Sequence, residues 1–445
     1  MRCTTAKRLP RLLNFILHTS YFILCFSSAR AIAAQTPAAP PREVADAFTA
    51  LEAPPPNDKA TAETWGAWIH DRSAAKKQLL GAGDLAVDPI AARVRDILGL
   101  DRDGREVLQG KNDVLHAYYS ILASLAPQTA GKLLLEIAWL RDDHPYQEER
   151  AWALWSLGSL TFQEYLDDNL PQPGNDAIHA AAKAAQAWWT VNGAKTWQQW
   201  HEDAIARAHA RIEGTQPDPA LAGVQFLLSQ NDTSPSVLAA LKSLISGEGR
   251  TWEDLKNYHR SRAIGLAVRT RRVEFELQYQ SAALSADPAI SQAGIAALGA
   301  VGTAASLDTL VKLAADPDAD KAADALIAGT ALTGAWQPTA EEFKLWAQAN
   351  GQKPQSDWWQ AGLPALIDRA TKGDSTALSV LYTRVRRPMP PVSFDDLRFP
   401  QYGPQLETWQ QWYDRMKDNL AWDAADGQVV LGSLPTPAAA APAQH

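Results

Sequence analysis

The spacing of apolar and polar residues along this chain is helical over almost its whole length. Between about residues 60 and 430, apolar positions recur every three or four residues, and runs of alternating β-branched residues, which would indicate strands, are nearly absent. Short turns containing Pro, Gly, Asn or Asp separate the helical segments. The predicted helices include 114–125, 130–140, 148–160, 177–191, 197–212, 220–228 and 237–244. Because short connections make neighbouring helices antiparallel, we expect an all-α protein built from helical hairpins.

The clearest repeat lies between Ala286 and Gly334. Two Asp-Pro pairs, at 287–288 and 316–317, are 29 residues apart and alternate with apolar helices. Each Asp is placed to cap the helix that follows, and each Pro lies near the first turn, where its missing N–H is harmless. The stretch resembles a HEAT repeat and the similar repeats of phycobilisome lyases, and 134–160 resembles them more weakly. The resemblance implies an ARM-type α-solenoid of HEAT-like hairpins and carries no catalytic residue.

Tryptophan is unusually frequent and follows a repeated pattern. The chain contains 17 Trp against 10 Phe, 10 Tyr and 3 Met. The motif W-x3-N-G-x-K occurs at 188–195 and at 346–353, and the run Thr-Trp-Gln-Gln-Trp occurs at 196–200 and at 408–412. Asn-Gly is a helix stop in which Gly is expected to take the left-handed conformation, and Thr followed three residues later by Gln is a capping box. We therefore predict modules that consist of a helix, a tight turn and a capped helix rich in Trp.

Two interpretations of the tryptophans remain open. They pack the helical hairpins, or they form platforms for sugar rings or another flat ligand. Adjacent residues of a helix point about 100° apart, so at least one member of the pairs at 188–189 and 358–359 is expected to be partly exposed. The candidate ligand platforms are Trp189, Trp359 and Trp422.

The first 33 residues have the pattern of a secretory signal peptide. Four basic residues precede a mostly apolar stretch at 12–26, and Ala31-Ile32-Ala33 supplies the small-x-small pattern that signal peptidase recognises. Fifteen helical residues span about 22 Å, less than the roughly 30 Å hydrocarbon core of a bilayer, although a retained anchor is an alternative. We predict an exported protein, periplasmic or extracellular, with no integral membrane span after cleavage.

Proline-rich stretches flank the helical region. Residues 34–60 are predicted to be a flexible lead-in that contains one short helix, and 431–445 a disordered tail. The region between them is assigned to an N-terminal helical repeat half, 61–250, and a C-terminal HEAT-like half, 251–430.

Charge and cysteine content exclude several classes of function. The net charge is −8, and removal of residues 1–33 lowers it to about −13 because five basic and no acidic residues are lost. Nucleic acids and anionic membranes bind clustered Lys and Arg, so neither is expected as a partner. The two cysteines, Cys3 and Cys25, lie in the signal, which leaves no thiol for a disulfide, a nucleophile or a metal. Phosphate-binding and nucleophile motifs are absent from the sequence, and we predict no cofactor, no metal site and no catalytic residue.

The most basic stretch is a candidate partner-binding site. It contains Arg260, Arg262, Arg269, Arg271 and Arg272. Arginine binds carboxylates through two hydrogen bonds, so this stretch could receive an acidic partner or glycan. The alternative is that these arginines form ladders with Asp and Glu between stacked repeats.

Together these patterns predict an exported, non-catalytic α-solenoid that binds or scaffolds a protein partner through its groove. One alternative is a carbohydrate-active or glycan-binding α/α toroid, with Trp platforms and with Asp142, Asp143 or Glu149 as acids. Another is a ligand-loading chaperone like the phycobilisome lyases.

Overall fold

The computed structural model describes residues 41–56, 61–99, 111–144, 146–166, 173–386 and 408–431. These residues form 19 α-helices and one small β-hairpin, so the predicted all-α class is confirmed. They divide into two compact units, one that extends to Ala204 and one that begins at Ile205. The predicted signal peptide, 1–33, and the predicted tail, 431–445, lie outside the described residues, apart from Leu431.

In the first unit, each of the helices α1 to α6 packs against the next one along the chain, and α2, α3 and α5 also pack against the next helix but one. Leucine and isoleucine side chains from these helices fill one continuous core. The helices are α1 (Pro41–Glu52), α2 (Ala62–Ala82), α3 (Asp84–Leu98), α4 (Asn112–Leu125), α5 (Pro127–Ala138), α6 (Glu149–Thr161), α7 (Asn175–Asn192) and the beginning of α8 (Trp197–Glu213).

Helix α1 lies in the segment that was predicted to be a flexible lead-in. Its Val44, Ala47, Phe48 and Leu51 are buried, and the helix packs against α2. The expected short helix is therefore present, and it belongs to the core because its apolar residues recur at helical spacing. The prediction of flexibility is wrong for this part of the lead-in, while residues 34–40 and 57–60 lie outside the described residues.

In the second unit, α11, α13 and α15 pack side by side in succession, while α12 packs on α13 and α14 packs on α15. This is the packing of successive helical hairpins. The helices are α9 (Pro217–Ser229), α10 (Pro235–Ser246), α11 (Asn257–Thr270), α12 (Glu276–Ala283), α13 (Pro288–Val301), α14 (Leu307–Ala314), α15 (Ala319–Thr333), α16 (Ala340–Asn350), α17 (Gln355–Thr371), α18 (Ser375–Arg384) and α19 (Trp409–Met416).

The Asp-Pro turns begin helices, with one change from the predicted caps. Asp287 caps α13 as predicted, because its carboxylate accepts a hydrogen bond of 3.0 Å from an amide of the first turn. The cap of α15 is Asp318, whose carboxylate accepts hydrogen bonds from two first-turn amides. Asp316 was the predicted cap, but its carboxylate accepts a hydrogen bond from the Asp318 amide instead. The capping role therefore passes to the second Asp, because the first one closes the turn that precedes the helix.

A β-hairpin lies in the half of the chain that was predicted to be helical. Strands β1 (Leu420–Asp423) and β2 (Gln428–Leu431) pair antiparallel, with Leu420 opposite Leu431. The backbone amide of Arg386, just after α18, donates a hydrogen bond of 2.8 Å to the Val429 carbonyl of β2. The prediction of helix is wrong for this segment, since four-residue strands carry too little periodicity to register as a strand signal.

Candidate functional site

The two W-x3-N-G-x-K motifs form the same structure in the two units. In each motif, the Asn side chain donates a hydrogen bond of 3.0 Å to the backbone carbonyl of the first Trp. The backbone carbonyl of that Asn accepts a hydrogen bond of 2.8 Å from the indole N–H of a buried Trp, which is Trp200 in one motif and Trp358 in the other. Both of these residues follow the first Trp by twelve positions, and the two rings of each motif meet edge-on. The complete module is therefore W-x3-N-G-x-K-x4-W.

The glycine of each module does not have the left-handed conformation that we predicted. The φ angles of Gly193 and Gly351 are −62° and −59°, which lie in the ordinary right-handed region, so that prediction is wrong. A Cβ atom on Gly193 would lie 2.6 Å from the indole nitrogen of Trp189, and one on Gly351 would lie 2.7 Å from the carbonyl oxygen of Ala347. Lack of space therefore explains the glycine at both positions.

The Thr-Trp-Gln-Gln-Trp runs form the predicted capping boxes. In each run, the Thr hydroxyl, of Thr196 or Thr408, accepts a hydrogen bond of 3.2 Å from the backbone amide of the Gln three residues later. The side-chain oxygen of that Gln accepts a hydrogen bond of 2.9 Å from the backbone amide of the Thr. In α19 the rings of Trp409 and Trp412 pack edge-on, with centroids 5.5 Å apart. These residues stabilise the start of a helix, which agrees with the packing interpretation of the tryptophans.

The three candidate ligand platforms pack mainly against the protein. Trp359 is 1% exposed and Trp358 is 2% exposed, so neither member of that pair offers a ring face and the prediction for Trp359 is wrong. Trp422 is half-buried and stacks on Trp359 at 6.2 Å. Trp189 is half-buried and lies against Gly131 of α5. Large rings at helix ends are drawn into the core because burial of their area is strongly favourable.

All 17 tryptophans lie within the described residues, and only Trp139 among them is exposed, with 47% of its surface accessible to solvent. It lies at the end of α5, outside the Trp pairs and the repeated Trp motifs. The Trp excess is therefore mostly architectural.

The acids considered for a carbohydrate-active site are each engaged by neighbouring groups. Glu149 is buried, and its two oxygens lie 2.6 Å from the Asn112 amide nitrogen and 2.8 Å from Nε2 of His116. Asp142 forms an ion pair with a buried arginine at the start of α6, and the exposed Asp143 lies 3.4 Å from Nε of Arg141. A glycosidase needs two carboxylates free to face one sugar, so these contacts do not favour that alternative.

The five arginines of the basic stretch separate into two groups. Arg260 donates to a carbonyl of α10 at 2.9 Å, and Arg271 donates to carbonyls of α13, α18 and the hairpin turn. Arg272 donates to a threonine hydroxyl at 3.0 Å. These three arginines hold the second unit together, mainly by hydrogen bonds to carbonyl groups and to one hydroxyl group. The ladders with Asp and Glu that were the alternative prediction contribute less. Arg262 and Arg269 instead point away from α11 and are exposed.

A buried arginine accompanies Arg271. Arg384 is fully buried at the end of α18 and donates hydrogen bonds to the carbonyls of Gly299, Gly302 and Gly427 at 2.9, 3.1 and 2.7 Å. Burial and the charge of Arg271 lower the pKa of Arg384 to about 9. We call Arg271 and Arg384 the two-arginine clasp, because together they join α13 and α18 to the hairpin turn.

The two exposed arginines belong to a larger surface on α11, α13 and α15, which we call the three-helix face. In each helix its members are spaced by three or four residues, so they point to one side. Hydrogen bonds from Asn257 to Asp287 (2.6 Å) and from Gln292 to Asp324 (3.2 Å) join the helices at corresponding heights. The exposed members are Tyr258, Arg262, Gly265 and Arg269 on α11, Ala289, Gln292 and Ala296 on α13, and Asp320, Ala323 and Ile327 on α15.

The two edges of the three-helix face carry opposite charge. Arg262 and Arg269 make the α11 edge basic, although Asp218 of the neighbouring α9 lies against its first turn and accepts hydrogen bonds from Tyr258. Asp318, Asp320 and Asp324 make the beginning of the α15 edge acidic. Partial burial, followed by the nearby charges of Asp320 and Asp318, raises the pKa of Asp324. The row between the edges, on α13, has only small or uncharged exposed side chains. Arg262 and Arg269 were candidates from the sequence, whereas the acidic edge became visible only when three separate helices were brought side by side.

Within the described ranges, no cluster of three or more His, Cys, Asp or Glu side chains is arranged to hold a metal ion. None of the described helices combines the length and the apolar character needed to cross a membrane. No protein-family model matches this chain, no curated protein is significantly similar to it, and no solved structure matches it significantly.

Proposed function

We propose that this is an exported, non-catalytic α-solenoid of HEAT-like hairpins that binds a partner protein through the three-helix face. The signal-like pattern of residues 1–33 supports export, and the resemblance of residues 286–334 to HEAT repeats supports the solenoid. The helix-on-helix succession of α11, α13 and α15 is the packing that such repeats require.

One observation carries the binding proposal. Arg260, Arg271 and Arg272 are held by hydrogen bonds within the second unit, whereas Arg269 forms none with the described residues. Arg262 makes one long contact of 3.5 Å to a glutamine and lies close enough to Asp218 of α9 for their charges to interact. Side chains that are not used to hold the fold are available to a partner. Arginine, tyrosine and an apolar anchor are the residue types that contribute most to protein interfaces.

Two exposed apolar side chains extend the surface beyond the arginines. Tyr258 on α11 and Ile327 on α15 are both 45% exposed, and both belong to the three-helix face. The Tyr258 hydroxyl donates to the Asp218 carboxylate of α9 at 2.9 Å, which leaves its ring as the apolar part of the surface. A patch with apolar groups and a charged rim is typical of interfaces between proteins that also exist separately. This composition supports a protein partner over a sugar, which would stack on exposed indole rings.

Site-specific photocrosslinking in the producing cells tests the proposal. A benzoylphenylalanine at Ala296, in the middle row of the face, is expected to form a discrete adduct with another protein, whereas the same group at Ser281 on α12 is not. The double variant Arg262→Glu, Arg269→Glu is expected to remove the adduct because it reverses the charge of the basic edge.

The matched control reverses two exposed lysines outside the face, Lys242→Glu on α10 and Lys312→Glu on α14, and should leave the adduct intact. Far-ultraviolet circular dichroism verifies that both double variants remain helical. Absence of any adduct from position 296, or equal loss in both double variants, would refute binding at this face.

A further inference from the structure

The shape and charge of the three-helix face indicate what kind of segment it binds. We infer that the partner contributes an amphipathic α-helix that lies along α13, with acidic residues on the side that meets α11 and basic residues on the side that meets α15. This inference rests on the proposed function and adds the chemistry of the partner to it.

The spacing of the rows fits a helix. Packed helices lie about 8–10 Å apart, so the rows on α11 and α15 are separated by about 16–20 Å. An α-helix with its side chains is about 10–12 Å wide and fits between such edges. Ala289 and Ala296 on α13 have small side chains, so a partner helix can approach closely at the centre of the face. Gly265 on α11 adds no side chain between Arg262 and Arg269.

The two arginines specify the acidic side of the partner. Arg262 and Arg269 are seven residues apart on α11, which corresponds to two turns and about 10 Å. Carboxylates seven residues apart on one side of a partner helix have the same separation and can each form a bidentate ion pair. On the other side, Asp318 and Asp320 favour a lysine or arginine near one end of the partner helix, and Ile327 contacts an apolar residue farther along.

An extended strand suits the face poorly. A strand gains affinity by pairing its backbone with free backbone groups, but the amides and carbonyls along α11, α13 and α15 are satisfied within the helices. A partner helix satisfies its own backbone and needs only side-chain contacts, which the face offers.

Two designed peptides of identical composition test the inference. One is a helix with an Ala/Leu face, Glu along one edge and Lys along the other, and the second alternates Glu and Lys along both edges. Both have the same length, net charge and helix-forming residues, so only the arrangement of charge differs. Fluorescence anisotropy with the purified full chain at low salt is expected to show at least about tenfold tighter binding of the two-edged peptide.

The variants already described locate the binding. Arg262→Glu, Arg269→Glu should weaken binding of the two-edged peptide at least about tenfold, and Lys242→Glu, Lys312→Glu should change it less than about twofold. Ala296→Trp, an exposed substitution, should block the floor of the face and weaken binding without lowering helicity. Loss of binding in the arginine variant alone, with circular dichroism unchanged, is the supporting result.

The failures of the two proposals can be told apart. The inference of a helical partner would be overturned if the two peptides bound with equal affinity, or if neither bound. An adduct from position 296 in cells would then still support the proposed function. If the chain associates with itself and Ala296→Trp abolishes this association, the occupant of the face is a second copy of the chain. That result would also overturn the inference of a separate helical partner. If no adduct forms in cells, the proposed function fails, whatever the peptides do.

Discussion

Single residues in this protein hold backbone segments together through space and hydrogen bonding. Trp200 and Trp358 each donate a hydrogen bond to the carbonyl of an Asn at the end of the preceding helix, so the indole ring fixes the path of the turn. The accompanying Gly193 and Gly351 are required because a Cβ would press on a neighbouring ring or carbonyl. These contacts explain why the two modules share a sequence pattern.

Substitution of two glycines separates the effect of space from that of helix propensity. Gly351→Ala is expected to lower the free energy of unfolding by about 1–3 kcal/mol, because the new Cβ would lie 2.7 Å from the Ala347 carbonyl oxygen. Gly265→Ala, within α11, is expected to raise it by about 0.5–1 kcal/mol, because nothing lies within 4 Å and Ala is the better helix former. Urea unfolding measures both, and a change of the same sign in the two variants would contradict this account.

At the scale of elements, helix ends decide which segments become helical and where they stop. Asp374 caps α18 by accepting hydrogen bonds of 3.0 and 3.1 Å from the amides of Thr376 and Ala377, and it also binds Arg369. Partial burial opposes the charge of Asp374, but these hydrogen bonds and the nearby arginine lower its pKa overall.

Removal of this cap should have a pH-dependent effect. Asp374→Ala is expected to lower the free energy of unfolding by about 1 kcal/mol at pH 7. Because the pKa of Asp374 is lower in the folded state, its contribution is present above about pH 4 and is lost as the pH falls through the folded pKa. The difference between the parent and Asp374→Ala should therefore shrink in acid, as thermal unfolding at several pH values can show.

The control for the cap is Asp368→Ala, which removes an exposed i, i+4 ion pair with Lys372 in the preceding helix. It should change the free energy of unfolding by less than about 0.5 kcal/mol. A difference between parent and Asp374→Ala that stays constant down to pH 3 would count against a role for the ionised carboxylate.

The two-arginine clasp determines where the hairpin packs. Arg384→Lys is expected to lower the free energy of unfolding by about 2–4 kcal/mol, because one ammonium group cannot replace a planar guanidinium that reaches three carbonyls. Hydrogen exchange should show faster exchange of the Arg386 amide, which bonds to Val429 of β2. Arg386→Lys, at an exposed side chain, should leave stability within about 0.5 kcal/mol of the parent, and equal effects of the two substitutions would argue against the clasp.

At the scale of the whole molecule, both units bury tyrosine in their cores. Tyr118 and Tyr119 lie in the first unit and Tyr279 in the second, and all three are buried. Burial raises the pKa of each, and for Tyr118 the hydrogen bond to Glu52 raises it further. In the unfolded chain these phenols ionise near pH 10.

These tyrosines predict loss of stability in alkali. Below about pH 10 these tyrosines are neutral in both the folded and the unfolded state. Above about pH 10 only the unfolded chain releases their protons. The free energy of unfolding therefore falls as the pH rises. Phenolate absorbance should show a fraction of the tyrosines ionising only together with the loss of helicity. Tyr279→Phe should reduce the alkaline loss of stability in the second unit. Complete ionisation of all tyrosines with helicity unchanged would disprove this prediction.

Sequence alone was sufficient for those features that depend on residues within about four positions of one another. Helical periodicity, the Thr196 and Thr408 capping boxes and the Asp287 cap are local, because each bond joins one turn of helix. The all-α class and most helices of the region from 286 to 334 followed from those local signals.

Tertiary structure decided the features that depend on residues far apart in the chain. Sequence could not show that Trp359 is buried, that Arg271 holds the fold or that Arg269 is exposed, because each depends on which distant backbone lies beside the side chain. In the two-arginine clasp, for example, Arg384 bonds to a carbonyl 85 residues away and Arg271 to one 155 residues away. The opposite charges of the three-helix face arise in the same way, because its basic and acidic edges come from separate helices, α11 and α15. Local pattern determined which segments became helices, and packing determined which of their side chains were left exposed.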